Sequence, residues 1–359
     1  MTPIRTVLLY GGRSAEHDVS VLSARSVASA APAERVEMIP VCIAKDGFFV
    51  PPDPSRDIAP ADHGDATFSF ESWVRQEKPD VAFPVIHGTT GEDGTLQGYL
   101  EIIGLPYVGS GVTASAVSMD KIHMKQAFAA AKLPMVDFVQ VHENDWKHER
   151  DRIMRAMNNA LRLPYFVKPA NSGSSVGVTK VKSERDLLPA IEKAFRFDEK
   201  ALVERGVEAR ELEISVLGNE SPKASVPGEI IASEEFYTYE DKYAADNKAQ
   251  LIIPAKLPKE KVEEMQRLAI TAFKAVNAAG FARVDFFLER GTNRLFVNEL
   301  NTIPGLTQYS MYAKLWEATE IKYSRLIEQL IELGLERARM RAARNASAMK
   351  WFEEVRSIT

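Results

Sequence analysis

Asp285, Glu299 and Asn301 supply two carboxylates and an amide oxygen from one short stretch of chain. Hard oxygens of this kind are what Mg²⁺ takes alongside nucleotide phosphates. Glu299 and Asn301 are two residues apart, so on a strand both side chains leave the same face. The apolar run Arg283-Val284-Asp285-Phe286-Phe287-Leu288 and the run from Leu295 to Leu300 flank a Gly291-Thr292-Asn293 turn. That pattern predicts a β-hairpin. Pairing the runs brings Asp285 near Glu299 and Asn301, with Arg283 on the face of Asp285. The plain alternative is a hairpin whose polar residues merely face water or form a cross-strand salt network. It leaves unexplained why acids interrupt such apolar strands and why Pro304-Gly305 follows at once.

A second group points to phosphates. Pro164-Tyr165-Phe166-Val167-Lys168-Pro169 reads as a short strand ending in a lysine, followed by the small-residue loop Ala170-Asn171-Ser172-Gly173-Ser174-Ser175-Val176-Gly177. Such a loop lets backbone N–H groups approach an anion, and Lys168 adds a point charge. It is not a Walker loop, because no Gly-Lys-Ser/Thr opens a helix. The competing reading is a simple Gly/Ser hairpin turn. Met119-Asp120-Lys121 opens a helical stretch and supplies a second lysine. Ala201-Leu202-Val203-Glu204-Arg205-Gly206 reads as a strand whose end offers an edge for an adenine, and Glu211 lies seven residues on.

The elements that must position these groups follow from the wider pattern. The 359 residues suit two or three domains. Charged residues make up 26% and hydrophobic ones 45%, as in ordinary globular enzymes. A net charge of −5 gives no basic field for nucleic acid, and no run approaches a membrane span. The single Cys42 sits in an apolar run, which excludes an internal disulfide and fits a cytoplasmic enzyme. Strands at Val7–Tyr10 and Val81–Ile86, with helices near Ser20–Ala31 and Leu96–Ile103, give a βαβ rhythm and predict a parallel α/β sheet. Ligands bind beyond the carboxyl ends of such strands, where Glu16 and His87 lie. A dinucleotide site is disfavoured because Gly11-Gly12 lacks the spaced third glycine. A helix is expected from Ser183, and the aromatic, charged segment 233–246 reads as a long loop suited to an active-site lid. The tail 336–359 is Arg- and Ala-rich, helical in pattern, with its arginines on a solvated face.

Taken in order, these stretches resemble the ATP-grasp superfamily and, within it, the D-alanine–D-alanine ligases. The resemblance runs from about Thr6 to Glu336. It is carried by Gly11-Gly12-Arg13-Ser14-Ala15-Glu16-His17-Asp18-Val19-Ser20, His87-Gly88-Thr89-Thr90-Gly91-Glu92-Asp93-Gly94, Gly109-Ser110-Gly111 and Met119-Asp120-Lys121. Further matches are Gly173-Ser174-Ser175-Val176-Gly177, Glu299-Leu300-Asn301-Thr302-Ile303-Pro304-Gly305 and Ser310-Met311-Tyr312. The resemblance implies a three-domain α/β (α+β) architecture: an N-terminal parallel domain over 1–117, a central domain over 118–206, and a C-terminal domain over 207–359. It implies ATP-driven joining of two D-alanines through an acyl phosphate, for cell-wall precursor synthesis.

The residue roles come with that resemblance. Asp285, Glu299 and Asn301 would hold two Mg²⁺ or Mn²⁺ ions. Lys121 and Lys168 would contact the α- and β-phosphates, Glu204 the adenine amino group, Glu211 the ribose and Lys242 the γ-phosphate. Ser174, Ser175, Arg205, Val207, Phe287 and Asn298 complete the expected ATP contacts. Arg283 and the Gly305 N–H would form an oxyanion site. Glu16 would take the first substrate's ammonium, with His87 nearby, and Ser310 with Met311 the second substrate's carboxylate. Glu16, Ser174 and Tyr243 would form a hydrogen-bonded triad across the cleft. A monovalent cation such as K⁺ and a homodimer belong to the same expectation. Each residue also has a duller reading: Glu16 as a helix cap, His87 as a satisfied strand-end histidine, Ser174 as a turn former. The sequence departs from the family pattern at Lys132 and Glu320, where glycine is frequent, and at Ala313, where proline is. D-alanine–D-lactate or D-serine ligation, or a non-catalytic nucleotide-binding regulator, are the alternatives.

Overall fold

The computed structural model describes residues 2–358 apart from residues 54, 174–175 and 232–249. Ser174, Ser175, Lys242, Tyr243 and the segment 233–246 therefore lie outside the described residues. Three sheets organise the chain. The first is parallel, with strand order β2-β1-β3, where β1 is Ile4–Gly11, β2 Val36–Ile43 and β3 Val81–Pro84. Val7, Leu8 and Leu9 are all fully buried, as the central strand of a sheet covered on both faces requires.

Helix α1 (His17–Ala30) begins three residues before the expected start at Ser20. Ser20 is no cap. It is fully buried, its hydroxyl accepts from the Gly11 N–H and donates to the Val85 carbonyl, and so it ties together the ends of β1 and β3. Helix α2 spans Phe70–Glu77, and α3 (Thr95–Ile103) closes at Gly104 as predicted.

The second sheet is antiparallel in the order β4-β7-β5-β6, with β4 Phe138–His142, β5 Tyr165–Pro169, β6 Thr179–Val181 and β7 Lys200–Arg205. Helix α4 (Val112–Met119) and α5 (Lys121–Ala130) lead into it. Helices α6 (Glu143–Ala160) and α7 (Leu187–Ala194) share a core with it through Ile153, Met157, Ala190 and Ile191. Ser183 does not open α7 directly. It donates to Asp186 across a short 3₁₀ turn, Glu184–Asp186, and α7 follows.

The third sheet orders β11-β10-β8-β12-β13, with β9 (Lys223–Ala224) also paired to β8. Its main strands are β8 (Ala209–Gly218), β10 (Gly228–Ile231), β11 (Gln250–Ile252), β12 (Gly280–Glu289) and β13 (Leu295–Asn301). Period-2 alternation splits its two faces. Leu212, Ile214, Val216, Val284, Phe286 and Leu288 are buried with Met265, Ala269, Ala272 and Phe273 of α8 (Lys259–Ala275). Glu211, Glu213 and Ser215 of β8 stand opposite Phe287, Asp285 and Arg283 of β12 on the other face.

Helix α9 (Met311–Glu317) precedes a 36-residue helix α10 (Tyr323–Ile358). The first half of α10 buries Leu326, Ile327, Leu330 and Ile331 in one core with Leu8, Val27 and Phe83 of the first sheet. Each fully buried apolar side chain of this kind contributes roughly 1.5–3 kcal/mol. The tail arginines are not simply solvated. Arg337 lies 4.2 Å over the Tyr107 ring, Arg341 pairs with Glu101, and Arg344 pairs with Glu220 at 3.2 Å. Among the described residues, no helix is long and apolar enough to cross a membrane.

Candidate active site

The expected hairpin is present, and its register is the one the chemistry needs. Arg283 faces Asn301 and Asp285 faces Glu299. The next pair is Phe286 with Val297, so Asn298 is the extra residue of a β-bulge. The bulge re-aims the strand beside the acids, and the buried Asn298 Oδ1 has no hydrogen-bond partner among the described residues. Arg283 holds Asp285 with two hydrogen bonds, Nε to Oδ1 and a terminal nitrogen to Oδ2, both 2.7 Å. Its Nε also lies 3.0 Å from Glu213 Oε2. Burial opposes charge on the guanidinium, but Asp285 and Glu213 hold it charged well above its ordinary range. Asn301 Nδ2 donates to Asp285 Oδ2 at 3.1 Å. Two carboxylates and an amide on one strand pair, with the amide free to present its oxygen after a flip, form a donor set that suits hard divalent cations.

The side expected to meet phosphates is built from three short motifs. Asp120 caps α5, its Oδ1 accepting from the N–H groups of Ile122 and His123, while Oδ2 pairs with Lys200 and with His123. Burial pushes the carboxyl up, but Lys200 and these N–H groups bring it down to about 2. The cap fixes Lys121 at the first helical position, where its backbone N–H donates to Ala170 and its Nζ to the Ser172 carbonyl at 2.5 Å. Both contacts are to the Gly/Ser loop. Gly177 has φ +75°, and a Cβ there would lie 2.7 Å from Pro169 Cγ, so the loop's return to β6 requires glycine.

Lys168 and Glu204 meet at 2.5 Å, and Lys125 of α5 takes the other Glu204 oxygen at 2.6 Å. Burial alone would raise the Glu204 carboxyl; Lys125 and Lys168 outweigh it and hold the group at about 2. Lys168 is itself buried, and Glu204, Glu299 and Glu211 together keep it charged. Arg205 leaves the same strand to pair with Glu289 at 3.0 Å and lies 5.7 Å from the Phe296 ring centre. Val207 is half-buried in the following turn, and Phe287 lies in register with Phe296.

The substrate end combines the first sheet with the third. Glu16 is buried, and its side chain makes no hydrogen bond to the start of α1. Its carboxylate instead lies against two glycines. A Cβ on Gly88 would fall 2.6 Å from Oε2, and one on Gly173 would fall 3.3 Å from it. The carboxylate of the first sheet thus reaches the residue before Ser174. His87 is buried with both ring nitrogens engaged, Nδ1 with the Ile303 carbonyl at 3.1 Å and Nε2 with the Ser23 hydroxyl at 2.9 Å. Burial keeps the imidazole neutral against the pull of Glu16. A neutral ring that donates from Nδ1 and accepts at Nε2 satisfies both contacts. Ser310 precedes α9 without capping it. Its hydroxyl accepts from the Thr307 N–H at 3.0 Å, and a Cβ on Gly305 would lie 3.2 Å from Ser310 Oγ. Met311 is buried behind it.

Three residues that the sequence reading passed over belong to this site. Lys125 was signalled by a charge inside the buried stripe of α5, with Ile122, Met124 and Phe128. Glu213 was signalled by its alternation with Glu211 and Ser215. Glu92 lies in the Gly91-Glu92-Asp93-Gly94 turn, accepting from Gly88 N at 2.7 Å and from Ile303 N at 3.2 Å. Burial, then Glu16, push the Glu92 carboxyl up to about 8. Among the described residues no group of three or more His, Cys, Asp or Glu forms a metal cage.

The family model for the D-ala D-ala ligase N-terminus matches residues 5–110, and that for the D-ala D-ala ligase C-terminus matches residues 127–332. The chain is 47% identical over 343 residues to the D-alanine–D-alanine ligase of Halothermothrix orenii, covering 94% of this chain and 99% of that protein. It is 48% identical over 338 residues to the Solibacter usitatus ligase of the same name, covering 94% and 97%. The structure of the Coxiella burnetii D-alanine–D-alanine ligase matches with a TM-score of 0.81 and 32% identity over 100% of both chains. The VanG D-Ala:D-Ser ligase of Enterococcus faecalis matches with a TM-score of 0.79 and 28% identity, over 93% of this chain and 100% of that one. This chain belongs to the D-alanine–D-alanine ligase family, with the ATP-grasp architecture.

Proposed function

We propose the following division of labour for the ATP-dependent ligation of two D-alanines, which is the activity of this enzyme. The supporting observation is a convergence. Glu16 of the first sheet reaches Gly173 of the phosphate loop, while Lys168 stands in the field of Glu299 on the metal hairpin. ATP, a divalent metal and the amino acid thereby share one cleft.

Asp285, Glu299 and Asn301 would hold two divalent ions, Mg²⁺ or Mn²⁺, which when bound would supply charge neutralisation for the phosphates. Lys121, Lys168 and Lys242 contact the phosphates, and Ser174 and Ser175 line the loop that cradles them. Glu204 accepts from the adenine amino group and Glu211 from the ribose. Arg205, Val207, Phe287 and Asn298 enclose the base and ribose.

The first D-alanine binds with its ammonium at Glu16 and His87 behind it. Its carboxylate oxygen attacks the γ-phosphorus, the bond to ADP breaks, and an acyl phosphate forms. The second D-alanine binds its carboxylate at Ser310 and the Met311 N–H. Its amine loses a proton and attacks the acyl carbon. Arg283 and the Gly305 N–H meet the oxyanion, which collapses with loss of phosphate. Glu16, Ser174 and Tyr243 link the parts of the cleft around the intermediate and keep water from it. The enzyme works as a cytoplasmic homodimer, with a monovalent cation such as K⁺ as a further ligand; the buried, unpaired Cys42 supports the compartment and the family supports the rest.

Phosphate release from ATP, measured with D-alanine, D-lactate and D-serine offered in turn and product masses read, tests the assignment. D-alanyl-D-alanine is the expected product. A preference for D-lactate or D-serine as second substrate would overturn the reading at Ser310, and equal turnover of L-alanine would overturn that at Glu16.

A further inference from the structure

The Glu204 carboxylate is held by two ammonium groups rather than one. Lys125 Nζ lies 2.6 Å from Oε1 and Lys168 Nζ 2.5 Å from Oε2. The side chains of Lys125 and Glu204 are each only 2% exposed, whereas that of Lys168 is 14% exposed. A buried carboxylate needs one cation for neutrality, and a second buried cation is costly unless an anion arrives to meet it. Phe138, whose ring centre is 5.5 Å from Lys125 Nζ, offsets a little of that cost. Only Lys168 opens toward the cleft.

We propose that Lys125 is a positioning residue for nucleotide binding: it neutralises Glu204 from behind, so that Lys168 keeps its charge for a nucleoside triphosphate's phosphates. Without Lys125, Glu204 and Lys168 would close into a neutral pair, and the pull on phosphate would fall. Glu211 and Glu299 also face Lys168, from β8 and β13, but in the bound state they turn to the ribose and the metal. Lys125 touches no substrate. It acts through Glu204, and α5 places it one turn beyond Lys121, so one helix serves both lysine contacts. The inference rests on the assignment of Lys168 to the phosphates.

The test uses the full-length enzyme with Lys125→Met, Lys168→Met and the double variant Lys125→Met/Glu204→Gln. Readouts are KM for ATP, kcat, KM for D-alanine, and the shift in melting temperature on adding ADP. Lys125→Met should raise KM for ATP about tenfold, with kcat within about twofold and KM for D-alanine unchanged. The double variant restores the one-cation balance and should bind ATP more tightly than Lys125→Met, and any loss left relative to the parent reads the contact of Glu204 to the adenine. An unchanged KM for ATP in Lys125→Met overturns the proposal, as does a double variant no better than the single. If Lys125→Met does not fold, the double variant decides: an ADP shift that persists supports the charge balance and a lost shift overturns it. Lys168→Met separates the two levels, because intact nucleotide affinity in that variant would sink the phosphate assignment itself.

Discussion

The two charged clusters of the cleft differ in sign. At ion-pair distance, Lys125 and Lys168 outnumber Glu204 at the nucleotide end, with Glu211 and Glu299 acting on Lys168 as well. At the hairpin end, Asp285, Glu213 and Glu299 outnumber Arg283. Both clusters sit on buried or half-buried residues, where an uncompensated charge is expensive. The first is completed by an anion and the second by cations, so each is unfinished in the way its ligand would finish. On the proposed assignment, the lysines would face the phosphates and the carboxylates of the hairpin the metal ions, dividing a metal–nucleotide complex between them. The contrast also explains why Arg283 is clamped so firmly. Its bidentate pair with Asp285 and its contact to Glu213 hold the guanidinium on the negative side, aimed at charge that develops during acyl transfer.

The largest break in this contrast comes from the negative side. Asp285→Asn and Glu299→Gln should each lower ligation by at least about 10²-fold while the fold is kept. Phosphate release at ordinary Mg²⁺ concentration, with circular dichroism as the control for folding, checks this. Normal turnover by either variant would remove the metal assignment. Arg283→Ala should cost on the order of 10²–10³ in kcat, with a smaller change in nucleotide binding. A loss confined to ATP affinity would place Arg283 with the ground-state contacts of the positive cluster instead.

Glu92 sharpens the contrast at its edge, since it feels both Glu16 and Arg283. Its folded-state carboxyl titrates at about 8 against an ordinary value of 4.5. The native protein therefore binds the extra proton throughout that window. The stability this contributes is complete below the lower value and is lost as pH rises through the upper one. Glu92→Gln should flatten that fall, gaining on the parent between pH 5 and 8 in urea unfolding. A parallel pH dependence in the two proteins would mean that Glu92 is ionised in the folded state.

The smallest effect lies far from either cluster. Lys132 and Glu320 occupy left-handed backbone with φ +57° and +66°. Each ends a helix through a Schellman-type pair: Leu133 N–H to the Phe128 carbonyl, and Ile321 N–H to the Trp316 carbonyl. Lys132→Gly and Glu320→Gly should each stabilise by about 1 kcal/mol or less, without change in kcat. A change in activity would show that these turns communicate with the cleft.

Much of the site was legible because its signals are local. A two-residue period and a Gly-Thr-Asn turn set which hairpin residues face one another, and Asp285 does stand opposite Glu299. A small-residue loop after a lysine-ended strand marked the phosphate side, and the motif Met119-Asp120-Lys121 marked a helix start that Asp120 does cap. What stayed hidden depends on partners far apart in sequence. Ser20 marked the expected start of a helix and is a buried tie between two strands. The tail arginines read as solvated, and the Arg344 side chain is 72% exposed; what the sequence hid is that Arg337 lies over Tyr107 and Arg341 pairs with Glu101.

By itself, then, the sequence determined the main element types and the hairpin register that sets Asp285 opposite Glu299, because these are written in residue spacing within a few turns or strands, and its motifs in order carried the resemblance to the family. Only the tertiary structure decided which charges balance. Lys125 meets Glu204, Glu213 meets Arg283, and Glu92 sinks beneath Glu16 and Ile303. The strength and even the sign of an electrostatic effect depend on burial and on distances of a few ångströms across separate elements. Packing sets those distances, and no local pattern encodes them.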